Sequence, residues 1–360
     1  MKTTNILLLF SFAAILSSCA SLTREHFKEN LPNPLEKLVY YASLAGNSHN
    51  TQPWIVEIEN DTTVHIIADF SRKLHIVDPD SRGLFISLGA FIENFELAAG
   101  SLSYKALVEI TAKHKNDPNV ATIRISKSAV TGYDLNIIEM RRTLRTPFRN
   151  DEITAEHLNK LIDTGSKEIF FFNASSTEGK FIADQTLAAY SQQAKDDQAK
   201  QELSNWIRFS NSDVKRYRDG LTTAGMGING IGGFFVRNFY KPEDSMKDGF
   251  IETGIEKTKE QTENCGGWIV ITQNEDTPQK WIETGRIYQK LNLKCTELMI
   301  GFHPMNQLIE EDNFEKSANN KLCLPGVLQF IARIGYVDSY PQAISVRRPV
   351  GEILIYNKVK

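Results

Sequence analysis

The chain has 360 residues, 41% hydrophobic and 24% charged, a globular balance long enough for two packed units. A formal net charge of -3 excludes the electrostatic footprint of a nucleic-acid binder. With 20 Phe and 11 Tyr, the chain carries ample aromatic material for a core.

Residues 1–19 read as an export signal, not as fold. Lys2 supplies a positive start, and Ile6 to Leu16 is a mostly apolar run too short to span a bilayer as a stable helix. It ends in Leu16-Ser17-Ser18-Cys19, small residues before a cysteine, which look like a bacterial lipobox with Cys19 as the lipidated first residue. A conventional signal cleavage nearby is the alternative. Lipid chains anchor without spanning, and no later segment reaches about 18 apolar residues in a row. The expected location is therefore the cell envelope, lipid-anchored and facing the periplasm or the cell surface. Residues 20–34 read as a polar tether.

Leu35 to Leu44 shows helical apolar spacing after Pro34. Then Ala45-Gly-Asn-Ser-His-Asn-Thr-Gln-Pro-Trp54 sets polar side chains at every position from Asn47 to Gln52, which no core element accommodates. Ile55–Ile58 and Thr63–Ile67 alternate like a hairpin joined through Asn60-Asp61. Gly83 to Leu102 is a long apolar helix, and Val108–Ile110 and Ala121–Ile125 are further strands. The fold class is α+β.

The halves echo each other at a constant offset of 196 residues: Gly89–Leu102 against Gly285–Leu298. Each stretch starts on Gly and repeats apolar residues at matching places, Phe91/Ile287, Phe95/Leu291 and Ala99/Cys295 among them. In each half a helix precedes an aromatic or β-branched strand, Leu35–Leu44 before Trp54 and Glu156–Ile162 before Ile169-Phe-Phe-Phe. Two unrelated amphipathic helices would give the first match alone. The resulting division is residues 35–135 and 136–360. Residues 195–262 interrupt the second copy, and Trp206, Phe209, Phe234, Phe235 and Tyr240 give that insertion the apolar mass of a lid.

A second dense polar site is Arg141-Arg142-Thr143-Leu144-Arg145-Thr146-Pro147-Phe148, before a helix expected near Thr154. Guanidinium forks and hydroxyls suit phosphate oxygens; the charge pattern alone fits a solvated basic turn equally well. Arg347-Arg348-Pro349 is a third basic site, ahead of an expected strand Glu352–Tyr356. Together, the Ser48-His-Asn-Thr-Gln-Pro-Trp54 loop, the Arg-Arg-Thr-x-Arg segment and the basic C-terminal pair resemble the flavin-binding nitroreductase superfamily. Its pattern has an Arg-Arg-Ser/Thr-x-Arg start, a Pro-Ser-x-x-Asn-x-Gln-Pro-Trp loop and basic residues near the C-terminus. The layout resembles its Acg-like branch most closely, in which two nitroreductase-like halves are fused, and the similarity runs from about residue 35 to the end.

This resemblance implies one FMN between the halves of a monomeric pseudo-dimer, since typical members are homodimers with FMN in the interface. It implies cofactor contacts at Asn47, Ser48, His49, Asn50, Gln52, Arg141, Arg142, Thr143, Arg145, Pro304, Met305, Arg347 and Arg348. Arg141, Thr143 and Arg347 or Arg348 fall to the phosphate. Arg145 falls to the pyrimidine edge, where a cation stabilises reduced flavin. The implied activity is transfer of electrons from NAD(P)H through FMN to a small nitro- or quinone-type acceptor, with no side chain acting as a nucleophile. The alternative is a lid-covered flavin that is stored, not turned over. Gly46-Asn47 stands where the family has Pro-Ser.

Other motifs are set aside. Gly225-Met-Gly227-Ile-Asn-Gly230 fits G-x-G-x-x-G, but no strand is expected before it, so it reads as lid. His49 has no second ligand at metal spacing, and no metal is expected. Cys265, Cys295 and Cys323 form neither a disulfide framework nor a zinc site; one bridge stays open, with Cys295 expected as a buried free thiol.

Overall fold

The structure, a computed structural model, describes residues 21–162 and 167–356; the expected signal segment and Cys19 lie outside the described residues. α1 (Pro34–Ser43) starts where the Asn33 side chain accepts from Leu35 N, with Pro34 at the first helical position. The hairpin β1 (Trp54–Asn60) and β2 (Thr63–Ala68) follows, then α2 (Arg82–Ser101), β3 (Tyr104–Ile110) and β4 (Asn119–Lys127). After α3 (Leu135–Met140) come α4 (Ala155–Leu161), N-capped by Thr154, and β5 (Ile169–Asn173). The next segment holds α5 (Thr177–Gln193), α6 (Asp197–Asn205), β6 (Ile207–Arg208), α7 (Asn211–Tyr217), β7 (Leu221–Thr222), α8 (Gly230–Phe239) and α9 (Asp248–Glu263). The last elements are β8 (Gly267–Gln273), α10 (Pro278–Glu297), β9 (Ile300–Pro304), α11 (Gln307–Glu310), α12 (Asp312–Leu322), β10 (Val327–Tyr336), α13 (Val350–Ile353) and β11 (Leu354–Tyr356).

Two antiparallel sheets form the frame. One runs β1-β2-β4-β3, the other β5-β8-β10-β9, so both follow the same succession of strands. β11 adds to the first sheet, parallel to β1, with Val56 opposite Leu354. β8 is buried along its whole length, as a central strand covered on both faces must be.

Between the sheets α2 crosses α10, and the crossing point is glycine against glycine. A Cβ on Gly89 would lie 2.0 Å from the Ile282 carbonyl oxygen, and one on Gly285 would lie 2.0 Å from that of Ile86. Only residues without side chains let two backbones approach so closely. By length and composition α2 could cross a membrane, which corrects the expectation that no later segment could. Its apolar window is 83% buried among the chain's own elements, so it is a core helix. Trp54 of β1 packs its ring 5.0 Å from that of Phe91 on α2.

Three expectations are revised. Residues 21–33 are not a free tether: Arg24 is buried, and the Arg218 guanidinium lies 4.8 Å over the Phe27 ring. Residues 350–356 are a short helical turn and then a strand, because Pro349 opens a turn that β11 leaves at Leu354. Pro304, expected among the cofactor contacts, ends strand β9 and pairs with Ala332 of β10. Cys265, Cys295 and Cys323 are all free; Cys295 is buried on α10, where burial pushes its thiol up.

Candidate functional site

The polar loop after α1 is shaped by three left-handed residues, His49 (φ 46°), Asn50 (φ 55°) and Gln52 (φ 54°). These turn alternate side chains to different sides. Asn47 fixes the bend, accepting from Gln52 N at 2.9 Å. Gly46 is required at the head of the loop: a Cβ there would lie 1.8 Å from the Tyr288 hydroxyl of α10. The ring of Tyr288 therefore fills the space that a proline at this position would claim.

The arginine segment leaves α3 extended and is pinned along its backbone. Leu144 N donates to Phe302 O (3.1 Å), Phe148 N to Asn264 O (3.0 Å), and Gln261 Nε2 to Arg145 O (2.6 Å). Phe148 is the anchor, with the Arg333 guanidinium 4.0 Å over its ring. From the far end of the chain Arg347 reaches the C-terminal end of α1. It donates to Ser43 O (2.6 Å), Ala45 O (3.0 Å) and Asn50 Oδ1 (2.8 Å), so its positive charge meets the negative end of that helix.

These segments enclose a cleft of about 420 Å³, solvent mouth included. Of the residues singled out in the sequence, Asn47, Asn50, Arg141, Thr143, Arg145 and Arg347 line it. The rest are placed elsewhere. Ser48 faces a second cavity, its N–H donating to Ser87 Oγ at 3.3 Å. Gln52 is a buried latch, donating to Arg218 O (2.9 Å) and accepting from Arg348 N (2.8 Å). Arg142 turns toward Gln342 O, and Arg348 toward Glu352 O at 3.0 Å. Pro304 belongs to β9, and Met305 is buried in a hydrophobic cluster with Trp268, Val270 and Ile331. Neither lines the cleft.

The electrostatics of the cleft are one-signed. Arg141 is 2% exposed, and its Nε and Nη1 have no hydrogen-bond partner. Burial, then the charges of Arg24 and Arg141, hold Arg347 well below the usual guanidinium range. Arg24 is pushed down to about 9 by burial and by Arg141, and Arg145 to about 10 by burial and by Arg142. Among the described residues no carboxylate pairs with Arg24, Arg141, Arg145 or Arg347. Buried like charges with no counter-charge are costly unless an anion joins them.

Arg24 was not legible as a site residue, and within the segment expected as a lid the individual cleft residues were not. Arg24 sat in a stretch read as tether; it donates to Glu139 O (2.8 Å) and Ser345 O (3.2 Å) at the edge of the cleft. Gly220, Leu221, Thr222 and Gly225 of the insertion roof the cleft. Arg145 Nη1 donates to Gly225 O at 2.9 Å, and Asn50 Nδ2 to Gly220 O at 3.2 Å. Asp219 is clamped between Arg72 and Arg208. The glycine run 225–230 is, contrary to expectation, preceded by a strand and followed by a helix. That strand is only the two-residue β7, paired to β6, so no dinucleotide-binding unit forms.

His49 lies below the usual imidazole range, at about 4, because of burial and the nearby Arg145 charge; its Nδ1 has no partner. The unfolded chain protonates first as pH falls from 6.5, so the stability present above that pH is lost toward pH 4. The loss attributable to His49 is on the order of 2 kcal/mol, allowing for its partial exposure. His49→Asn tolerates the left-handed backbone and is expected to flatten melting temperature against pH over this window. An unchanged slope would assign the acid sensitivity to other groups.

A second cavity, about 620 Å³ with its mouth, lies on the far side of the loop and is lined by Ser48, Asp78, Arg82, Ile86, Glu310 and Gln329 among others. Asp78 accepts from Gly83 N and Leu84 N at the start of α2, and burial pushes its carboxyl up to about 6.

No curated protein matches the chain. A putative nitroreductase from Anabaena variabilis is similar at 12% identity over 88% of this chain and 92% of its own, with a TM-score of 0.48. The FMN-dependent nitroreductase NfnB from Mycobacterium smegmatis, solved with NADPH, is similar at 14% identity over 58% and 92%, with a TM-score of 0.35. A nitroreductase-like family protein from Bacillus cereus is similar at 16% identity over 62% and 96%, with a TM-score of 0.32. Residues 138–336, more than half of the 360, match the model of the Nitroreductase family, and to that family this chain belongs.

Proposed function

We propose that the cleft binds FMN and that the protein is a flavin-dependent oxidoreductase passing electrons from NAD(P)H to a small nitro- or quinone-type acceptor. The observation that carries this is the buried, unpartnered guanidinium of Arg141 among other buried cations. A dianionic phosphate is the counter-charge that such a cluster calls for. Arg141 and Thr143 would hold the phosphate. Arg347, already committed to the end of α1, orients Asn50 and adds positive potential without giving up its bonds. Arg145 would face the pyrimidine edge, where its charge favours the reduced flavin. When bound, FMN supplies hydride and electron exchange; the protein supplies placement, charge and exclusion of water.

The shared strand succession of the two sheets and the glycine-on-glycine crossing support a second part of the proposal. The chain is a fused pair of degenerate halves, 35–135 and 136–360, working as a monomer with one flavin site. Only the first copy carries the polar loop, and the arginine segment opens the second. The N-terminal features support lipidation at Cys19 and a place in the cell envelope.

A specific observation favours a second reading, flavin storage. The roof 218–225 is latched by Asn50, Gln52 and the Asp219 clamp, as a cover over a held cofactor would be. Anaerobic mixing of the FMN-loaded full chain with NADH and NADPH separates the readings. Bleaching of the flavin absorbance within seconds is the result expected of the enzyme. A flavin that stays oxidised with both, yet is reduced by dithionite, selects storage. Colourless protein that takes up no added FMN sinks both.

A further inference from the structure

We infer that helix α8 is a membrane-docking surface that lies in the lipid headgroup region beside the N-terminal anchor. It rests on the lipid-anchor reading given above and is independent of the flavin.

Ile231, Phe235 and Phe239 are 80%, 53% and 67% exposed, and Tyr240 is 45% exposed. The four-residue spacing of Ile231, Phe235 and Phe239 sets those three on one stripe of the helix, with Tyr240 just past its end. On the other side Gly233 is buried against the turn that leads into the helix, where a Cβ would lie 2.6 Å from Ile228 O. Nothing lies within 4 Å of a Cβ built on Gly230 or Gly232. So many large apolar side chains in one exposed stripe on a short helix mark a surface made to be covered.

The start of the described chain lies against this helix, and that proximity selects the occupant. Arg237 Nη1, on α8 itself, donates to Ser21 Oγ at 2.8 Å, and Leu22 N donates to Asn211 Oδ1 at the start of α7 at 3.3 Å. Cys19 precedes Ser21 by two residues, a span of about 7 Å at full extension. A lipid on Cys19 would by chain length alone enter its leaflet beside α8, and the stripe would meet the same leaflet. The exposed residues that follow the stripe carry both signs, Lys241, Glu243 and Asp248 among them, so the apolar stripe, not charge, carries the docking.

The test uses the full chain, expressed with its own leader and purified from membranes. It is reconstituted into vesicles of phosphatidylethanolamine and phosphatidylglycerol, with or without brominated acyl chains. Phe235→Trp is the reporter, Phe239→Trp a second one, and Leu107→Trp, 61% exposed on β3, the control. Brominated lipid is expected to lower the added emission of the α8 reporters at least twofold and to leave the control unchanged. Flotation with the vesicles reports the anchor separately. Protein that floats while its α8 reporters behave like Leu107→Trp keeps the anchor and overturns the docking. Protein that does not float overturns both. α8 emission that is shielded equally in detergent, or that depends on protein concentration, overturns the docking in favour of cover by the leader or by a second copy.

Discussion

Arg141→Gln is expected to leave the protein folded and to raise the dissociation constant for FMN at least 100-fold. A charge-assisted hydrogen bond contributes about 1.5–3 kcal/mol, and a paired fork of them to one phosphate contributes correspondingly more. Loss of about 3 kcal/mol is more than a hundredfold in affinity. The apo protein should respond in the opposite sense. Arg141 is 2% exposed with two unpartnered nitrogens, and its charge acts on Arg24 and Arg347. Removing a buried, uncompensated cation relieves that repulsion, so the melting temperature without flavin should hold or rise. Arg348→Gln is the comparison: its guanidinium points to Glu352 and away from the cleft, so affinity should stay within about threefold of wild type. Titration calorimetry with FMN and thermal melting of both apo variants measure the pair of effects. An Arg141→Gln protein that binds FMN as tightly as wild type would remove the phosphate assignment.

The double substitution Gly89→Ala with Gly285→Ala is expected to lower unfolding free energy by about 3–6 kcal/mol. In a solvent-facing helix the same change would stabilise by up to about 1 kcal/mol each. Here the added methyls would sit 2.0 Å from the carbonyl oxygens of Ile282 and Ile86, on rigid backbone. α2 and α10 must move apart, and every side chain along the crossing loses close packing. Gly249→Ala, near the start of α9 with nothing within 4 Å of its Cβ, provides the opposite sign in the same protein. Urea midpoints of the two proteins read out the contrast. A double variant as stable as wild type would mean that the crossing is looser than the backbone distances require.

The large features were legible because each violates a local rule. Polar side chains from Asn47 to Gln52 could not be core, and Arg141, Arg142 and Arg145 could not lie close together without a reason. Gly89 and Gly285 stood out as glycines inside helical patterns, where glycine is otherwise a cost. What stayed hidden was decided by backbone conformation and by distant partners. The left-handed residues at 49, 50 and 52 turn Gln52 into a latch and send Ser48 to the second cavity, and hydrophobic periodicity says nothing about them. Arg347 spends its donors on carbonyls about three hundred residues away, so its basic character suggested a ligand contact where it is chiefly a helix cap. Arg24 looked like linker because its partners are backbone oxygens of Glu139 and Ser345, which no pairing of charges in the sequence reveals. The roof over the cleft hangs on strands of two residues, too short for any alternation to show.

The parallel pairing of β11 with β1 sets an order of events for the nascent chain. Arg347 can reach the end of α1 only when the segment leading into β11 is in place, and β11 joins the strand that was made first. Every earlier length of polypeptide lacks one wall of the cleft and one edge of the first sheet. A polypeptide that stops short of residue 347 is therefore expected to lack that wall of the cleft however well its earlier elements have packed, because the last residues close a gap opened by the first helix.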